Sequence, residues 1–209
     1  MTRNDGSVGV RQLRPSGLAW AWWRGDPLPP LEPLPGLTVA VAPADDALAE
    51  LNRVSLAEVR RREQGGNRPY VAYAEGEPVA YGWVATRDAE FGNRLCEFEV
   101  PASARYLWDF ATVPAWRGHG IYPRLHQAIL DAESGDADRF WILHAWTNEA
   151  SKRGIARAGF QAAATIYWLH DGSMSVAPFE ASDRAEACAA LLGLPLVSTA
   201  DTLREDSAF

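Results

Sequence analysis

Val113-Pro-Ala-Trp-Arg-Gly-His-Gly-Ile-Tyr-Pro-Arg-Leu125 reads as the end of a strand, a sharp bend and the start of a helix. Gly118 and Gly120 remove Cβ atoms at the bend, so a ligand can approach the main chain closely. The amides of Gly118, His119, Gly120, Ile121 and Tyr122 have no carbonyl one turn back and sit at the positive end of the helix dipole. Pro123 suits a first helical turn, where a missing N–H costs little. With Arg117 and Arg124 adding charge, the stretch reads as a cradle for a phosphate or diphosphate.

Working outward, the helix is expected over residues 118–133, with Ile121, Leu125, Ala128, Ile129 and Ala132 on one face. Strands at 106–113 and 140–146 flank it, and strand–helix–strand over about 40 residues is what a parallel crossover needs. Downstream, a helix over 149–158 stops at Gly159, and strands at 161–170 and 174–179 flank the hairpin signal Asp171-Gly172. Upstream, a strand at 37–41 precedes an Asp-rich helix start within 43–51 and a second helix over 56–64 that ends at Gly65-Gly66. Strands at 70–74 and 78–86 form a hairpin around Glu75-Gly-Glu77, and another strand covers 96–100. The architecture expected is an α/β mixed sheet with helices on both faces.

Residues 1–36 read as an N-terminal extension. Asp26-Pro-Leu-Pro-Pro-Leu-Glu-Pro-Leu-Pro-Gly36 holds five prolines, which neither helix nor central strand tolerates. Trp20, Trp22 and Trp23 ahead of it are expected to cover an apolar patch of the body. The main domain spans 37–179, and 180–209 is a C-terminal extension with one helix over 182–192.

The chain has 209 residues, 47% hydrophobic and 22% charged, which suits one soluble domain. A net charge of −7 argues against a nucleic-acid or anionic-membrane partner. Cys96 and Cys188 form no CxxC or Cys/His cluster, so no disulfide framework or zinc site is implied and a reducing, cytoplasmic setting is expected. The apolar run Leu18-Ala-Trp-Ala-Trp-Trp23 is too short for a bilayer and lacks a following cleavage site.

Three cradles are weighed. A Walker loop needs Gly-Lys-Ser/Thr, which is absent, and a dinucleotide fingerprint needs a third glycine where Arg124 stands. The third is a coenzyme A loop, and here the chain resembles the GNAT (Gcn5-related N-acetyltransferase) superfamily, whose loop reads Q/R-x-x-G-x-G/A. Arg117, Gly120 and Tyr122 fill those slots, Tyr122 replacing the usual small residue. A second stretch, Asn148-Glu-Ala-Ser151-Lys-Arg-Gly-Ile155-Ala-Arg-Ala-Gly159-Phe160, resembles the family's N-x-x-A/S-x-x-x-Y-x-x-x-G-F, with Ile155 in the tyrosine slot. The resemblance covers roughly residues 37–170.

The resemblance implies a mostly antiparallel central sheet with one parallel, splayed strand pair and acetyl-CoA as co-substrate without a metal. The pantetheine arm would lie in the splayed gap against the backbone of Ala111 and Val113. The diphosphate would meet Arg117, Gly118, His119, Gly120, Ile121 and Tyr122, with Asn148 on the arm and Arg153 or Lys152 at the 3′-phosphate. The implied reaction is transfer of acetyl to a primary amine, on a small molecule or peptide, by direct attack.

Asp109 interrupts the apolar run Tyr106-Leu-Trp-Asp-Phe-Ala-Thr-Val113, and is read either as the base or amine-orienting carboxylate, or as an ion-paired residue. Glu97 and Glu99 are a second acidic candidate, with a solvated strand face as the favoured reading. With Ile155 unable to donate a proton, Ser151, Tyr122, Tyr106 and water are the candidate acids. His126 and His144 are read as structural, and Trp108, Trp141, Trp146 and Trp168 either as core packing, the commoner role, or as walls of an acceptor site for an apolar or aromatic amine. A non-catalytic acyl-CoA sensor is the alternative function, and a homodimer covered by the Trp-rich start and tail helix is a further expectation.

Overall fold

The computed structural model describes residues 14–92, 96–168, 172–179 and 183–198. Among these residues there are ten strands: β1 (Arg14–Trp23), β2 (Leu37–Val41), β3 (Asn67–Ala74), β4 (Glu77–Ala85), β5 (Asp88–Phe91), β6 (Cys96–Glu99), β7 (Ala104–Thr112), β8 (Arg139–Ala145), β9 (Gln161–Trp168) and β10 (Met174–Pro178). Five α-helices accompany them: α1 (Asp46–Asn52), α2 (Leu56–Gln64), α3 (Ile121–Glu133), α4 (Glu149–Ala158) and α5 (Asp183–Leu192). Eight strands form one sheet in the order β10-β9-β1-β8-β7-β4-β3-β2, and β5 and β6 pair as a separate hairpin. β7 and β8 pair in parallel, the other strand pairs are antiparallel, and Val176 of β10 makes an isolated parallel bridge to Leu196. The end of the strand expected at 161–170, Asp171 of the hairpin signal and the first residue of the helix expected over 182–192 lie outside the described residues.

The start of the chain departs from expectation. Residues 14–23 are not an appendage but a strand inside the sheet, hydrogen-bonded to β8 on one side and β9 on the other. Both faces of the sheet are covered there, so Leu18 through Trp22 are all buried, and a strand buried on both faces reads as a continuous apolar run. Trp20 and Trp22 belong to the core rather than to a surface patch. The proline-rich stretch then runs outside α3. Gln127 Nε2 donates to the Pro29 carbonyl at 2.9 Å, and the Arg124 guanidinium donates to that of Glu32.

Helices cover both faces. The apolar side of α3 meets the sheet around Leu18, Leu107, Phe140 and Ile142, with Ile155 of α4 in the same cluster. On the opposite face, α1 and α2 cover Val71, Tyr81 and Trp83, while α5 and the β5–β6 hairpin cover Tyr106, Trp141 and Ile166. α1, α2 and α4 open on side-chain caps: Asp45, Ser55 and Asn148 accept from Leu48, Glu58 and Ser151 amides at 3.0, 3.1 and 3.0 Å. α3 has no such cap.

Its buried face is also wider than the periodicity suggested. Ala132 is exposed, whereas His126 and Glu133 are buried. His126 Nδ1 donates to the Tyr122 carbonyl at 2.8 Å and its ring stacks on Phe110, with Tyr122 and Phe160 at its edges. Burial pulls its pKa from 6.5 down to about 4, against the opposing pull of the Tyr122 carbonyl. Between those pH values the unfolded chain binds a proton that the folded chain does not. Stability is therefore full above pH 6.5 and falls by about 3 kcal/mol as pH drops toward 4. Urea unfolding at pH 7 and pH 4.5 is expected to show this loss, and His126→Leu to reduce it.

Candidate active site

β7 and β8 pair only from Ala104 and Arg139 to Leu107 and Ile142. Beyond that point they diverge, and a cavity of about 660 Å³ opens at the wider end. Its walls come from Phe110, Ala111 and Thr112 of β7, the bend Trp116–Gly120, the first turn of α3 and the start of α4. Of the cofactor-site residues expected from sequence, Ala111, Arg117, Gly118, Gly120, Ile121, Tyr122, Asn148 and Arg153 line it, as does Ser151. His119 lies on the same bend, bonding back to the Arg117 carbonyl and facing Trp116, but is outside the lining.

The bend is built as a cradle. Gly118 and Gly120 have φ values of +82° and +71°, which a side chain rarely adopts. A Cβ on Gly118 would meet nothing within 4 Å. Among the described residues, the amides of Gly118, His119 and Gly120 donate no backbone hydrogen bond. Arg117, Arg153 and Arg157 line the cavity and no carboxylate does, in a chain whose net charge is −7. Arg124 spans the cradle and the proline-rich stretch, donating to Gly120 O at 2.7 Å as well as to Glu32 O. Donor-rich backbone, positive charge and open space suit a diphosphate.

Tyr122 occupies a slot that is small in the resembled loop, and α4 supplies the room. A Cβ on Gly154 would lie 2.4 Å from Tyr122 Cδ1, so only glycine there admits the ring. Ile155 is fully buried in the core. Asn148 lines the cavity and caps α4 with its carbonyl oxygen, which accepts from the Ser151 amide. Burial pushes the Tyr122 phenol up to about 12, against the Ser151 hydroxyl hydrogen-bonded to it.

The strand register corrects one assignment. The Val113 amide donates to Val79 O at 2.8 Å, so Val113 turns its polar backbone toward β4 and not into the gap. By antiparallel alternation Ala111 does the same, and Phe110 and Thr112 face the diverging side. The cause is a bulge: Tyr81 pairs with Ala111 but Trp83 with Trp108, leaving two β7 residues opposite Gly82. Asp109 sits in that bulge with φ +48°. Trp108 and Asp109 therefore both face α1 and α2, and Phe110 faces α3.

Asp109 is ion-paired. Arg62 Nη1 lies 2.5 Å from its Oδ2, and Asn52 Nδ2 donates to the same oxygen at 3.2 Å. Arg62 is wedged between the Trp83 and Trp108 rings, 5.2 and 4.7 Å from their centroids, and also bonds Glu58. Tyr81 hydrogen-bonds into this cluster through Asn52 and Asp109, and burial raises its phenol pKa. Tyr106 lies elsewhere, edge-on to Phe98 in the apolar layer under α5. Trp141 is core and Trp146 exposed; of the four tryptophans proposed as walls, Trp108 alone lines a described cavity. His144 accepts from Trp20 Nε1 at 2.9 Å, a structural bond.

These features define a mixed α/β sheet whose splayed parallel pair opens on a basic, donor-rich cavity. The family model for the acetyltransferase (GNAT) family matches residues 38–160, and the chain belongs to that family. Solved structures share the fold. An acetyltransferase from the GNAT family of Colwellia psychrerythraea is 14% identical with a TM-score of 0.55, covering 76% of this chain and 56% of its own. A GCN5-related N-acetyltransferase from Kribbella flavida is 18% identical at TM-score 0.51, covering 73% and 56%. One from Sphaerobacter thermophilus is 16% identical at 0.53, covering 75% and 51%. The chain thus spans little more than half the length of these structures. Among curated proteins, none matches this chain. Among the described residues, no helix is long and apolar enough to cross a membrane.

Proposed function

We propose that the protein is an acetyl-CoA-dependent N-acetyltransferase in which a primary amine attacks the thioester directly. The observation that carries this reading is the basic, donor-rich cavity at the end of the splayed β7–β8 pair. Gly118 to Tyr122 would hold the diphosphate, Arg153 or Arg157 the 3′-phosphate, and Asn148 the pantetheine amides. The backbone of Phe110 or Thr112 would meet the arm in the gap, and an amide there would stabilise the developing oxyanion.

The amine would approach Asp109 from the α1–α2 face of the sheet, where its carboxylate is partly exposed. With its carboxylate held by Arg62 and Asn52, it orients the attacking amine rather than collecting the proton, which passes to water. Ser151 and Tyr122, hydrogen-bonded to each other at the cavity wall, would supply the proton to the departing thiolate. Asp109→Asn is expected to lower kcat/KM for the amine about 100-fold while leaving acetyl-CoA affinity within twofold. Thiol release and calorimetry measure the two. Unchanged turnover would remove Asp109 from the reaction.

A second reading, an acyl-CoA sensor, is favoured by Ile155, which puts a core side chain where the family has a proton-donating tyrosine. Acetyl-CoA binding without thiol release for any amine would support it.

A further inference from the structure

The proline-rich stretch between β1 and β2, residues 26–36, is a strap against α3 and the end of α4. Asp26 fixes one end through the Arg184 guanidinium of α5, 2.7 Å away, and Leu34 packs on the main core at the other. The half-buried residues Asp26, Pro29, Leu31 and Leu34 fall at about every third position, the repeat of a polyproline helix. Five prolines pre-set an extended backbone, so little conformational freedom is lost when the strap docks. The fit to α4 is close: a Cβ on Gly159 would lie 2.8 Å from Pro29 Cδ and 3.0 Å from the Pro27 carbonyl oxygen.

Two side chains one turn apart on α3 hold the strap. Gln127 Nε2 donates to Pro29 O at 2.9 Å and to Ala158 O at 3.3 Å, joining strap, α3 and α4. Arg124 donates to Glu32 O from Nε, at 3.1 Å, and from Nη2, while its Nη1 donates to Gly120 O at 2.7 Å. All three of its bonds end on main-chain oxygens, and neither Arg124 nor any residue of the strap lines the basic cavity. Arg124 is thus placed to hold the bend rather than to touch what the cavity binds.

The bend needs such a support. Glycine loses more conformational freedom on ordering than any other residue, the bend carries two, and α3 has no side-chain cap. Because the peptide unit is planar, fixing Gly120 O also fixes the direction of the Ile121 N–H, one of the amides assigned to the diphosphate. A bend already ordered binds more tightly than one that must be ordered by its ligand. By linkage, the ligand then holds the strap in return.

We infer that Arg124 is a positioning residue that ties the proline-rich strap to the cradle, so that coenzyme binding and strap docking support each other. The inference rests on the acetyltransferase reading above and adds to it an element that lies ahead of the stretch shared with the family.

Arg124→Lys tests it, because lysine keeps the charge but replaces the planar fork with a single-point donor. Calorimetry is expected to show acetyl-CoA bound about tenfold more weakly by this variant, with the circular dichroism spectrum unchanged. Gln127→Ala, which loosens the strap without touching Gly120, is expected to weaken acetyl-CoA binding about threefold. Subtilisin cleavage between Leu31 and Glu32 supplies the reciprocal measurement. Saturating acetyl-CoA is expected to slow that cleavage about fivefold or more in the wild type and less than about twofold in Arg124→Lys. Acetyl-CoA affinity in Arg124→Lys within about twofold of wild type would overturn the inference, since charge alone would then suffice. An unchanged cleavage rate in the wild type with acetyl-CoA bound would overturn it too. Either result with normal acetyl-CoA binding by the wild type would leave the acetyltransferase reading standing, whereas a wild type that binds no acetyl-CoA would remove both.

Discussion

Gly120→Val is expected to weaken acetyl-CoA binding about 100-fold or more while the fold is retained. Gly120 holds φ +71°, where a β-branched residue is strained by contact with its own backbone. A Cβ there would lie 2.5 Å from Arg124 Nη1, so that guanidinium, which bonds Gly120 O, would be displaced. The bend would also re-aim the amides of Gly118 to Tyr122. Charge-assisted hydrogen bonds contribute about 1.5–3 kcal/mol each, so losing two corresponds to roughly two decades in affinity or more. Calorimetry with acetyl-CoA, alongside circular dichroism, measures both halves of the expectation. Wild-type affinity in the valine variant would mean that the diphosphate is not held at this bend.

The largest expected effect on stability is at Glu133, far from the chemistry. Its carboxylate is buried against Arg105 at 2.7 Å, Arg68 at 2.9 Å and the Tyr70 hydroxyl at 2.7 Å. Burial alone would raise its pKa, but the Arg105, Tyr70 and Arg68 hydrogen bonds outweigh it and the pKa is lowered. Glu133→Gln keeps the shape and leaves the buried Arg105 guanidinium with only the exposed Asp136 carboxylate, 3.8 Å away, as counter-charge, and breaking a buried pair in this way costs about 3–5 kcal/mol. The melting temperature is then expected to fall by about 10 °C. Because the folded pKa is depressed, this contribution is present above the ordinary carboxylate range and lost as pH falls through it, so the wild type and Glu133→Gln should converge under acid. A variant melting within about 2 °C of wild type at pH 7 would show that the cluster contributes little.

Local chemistry made much of this legible. α2 and α4 begin and end where Ser55, Asn148, Gly65 and Gly159 cap them, because capping residues act within a few positions of themselves. The cradle was readable for the same reason: two glycines, a proline and an uncapped helix start are neighbours in sequence. What stayed hidden depended on distant partners. The apolar run Leu18–Trp23 carried the signal of a strand covered on both faces, but nothing local shows that β8 and β9 flank it. The four residues of β5 were too few to stand out. The bulge at Asp109 inserts one residue and thereby moves the gap-facing backbone from Ala111 and Val113 to their neighbours. Arg62, 47 residues upstream of Asp109, could not be tied to it by spacing alone. Gly154 accounts for Tyr122, yet that pairing across two helices appears only once α3 and α4 are packed.

The most direct test of the central claim is a crystal structure of the protein with coenzyme A. The account predicts the diphosphate on the amides of Gly118 to Tyr122 and the pantetheine arm running between β7 and β8 beyond Leu107 and Ile142, toward Asp109. Coenzyme A seated elsewhere, with the two strands closed on each other along their length, would contradict it.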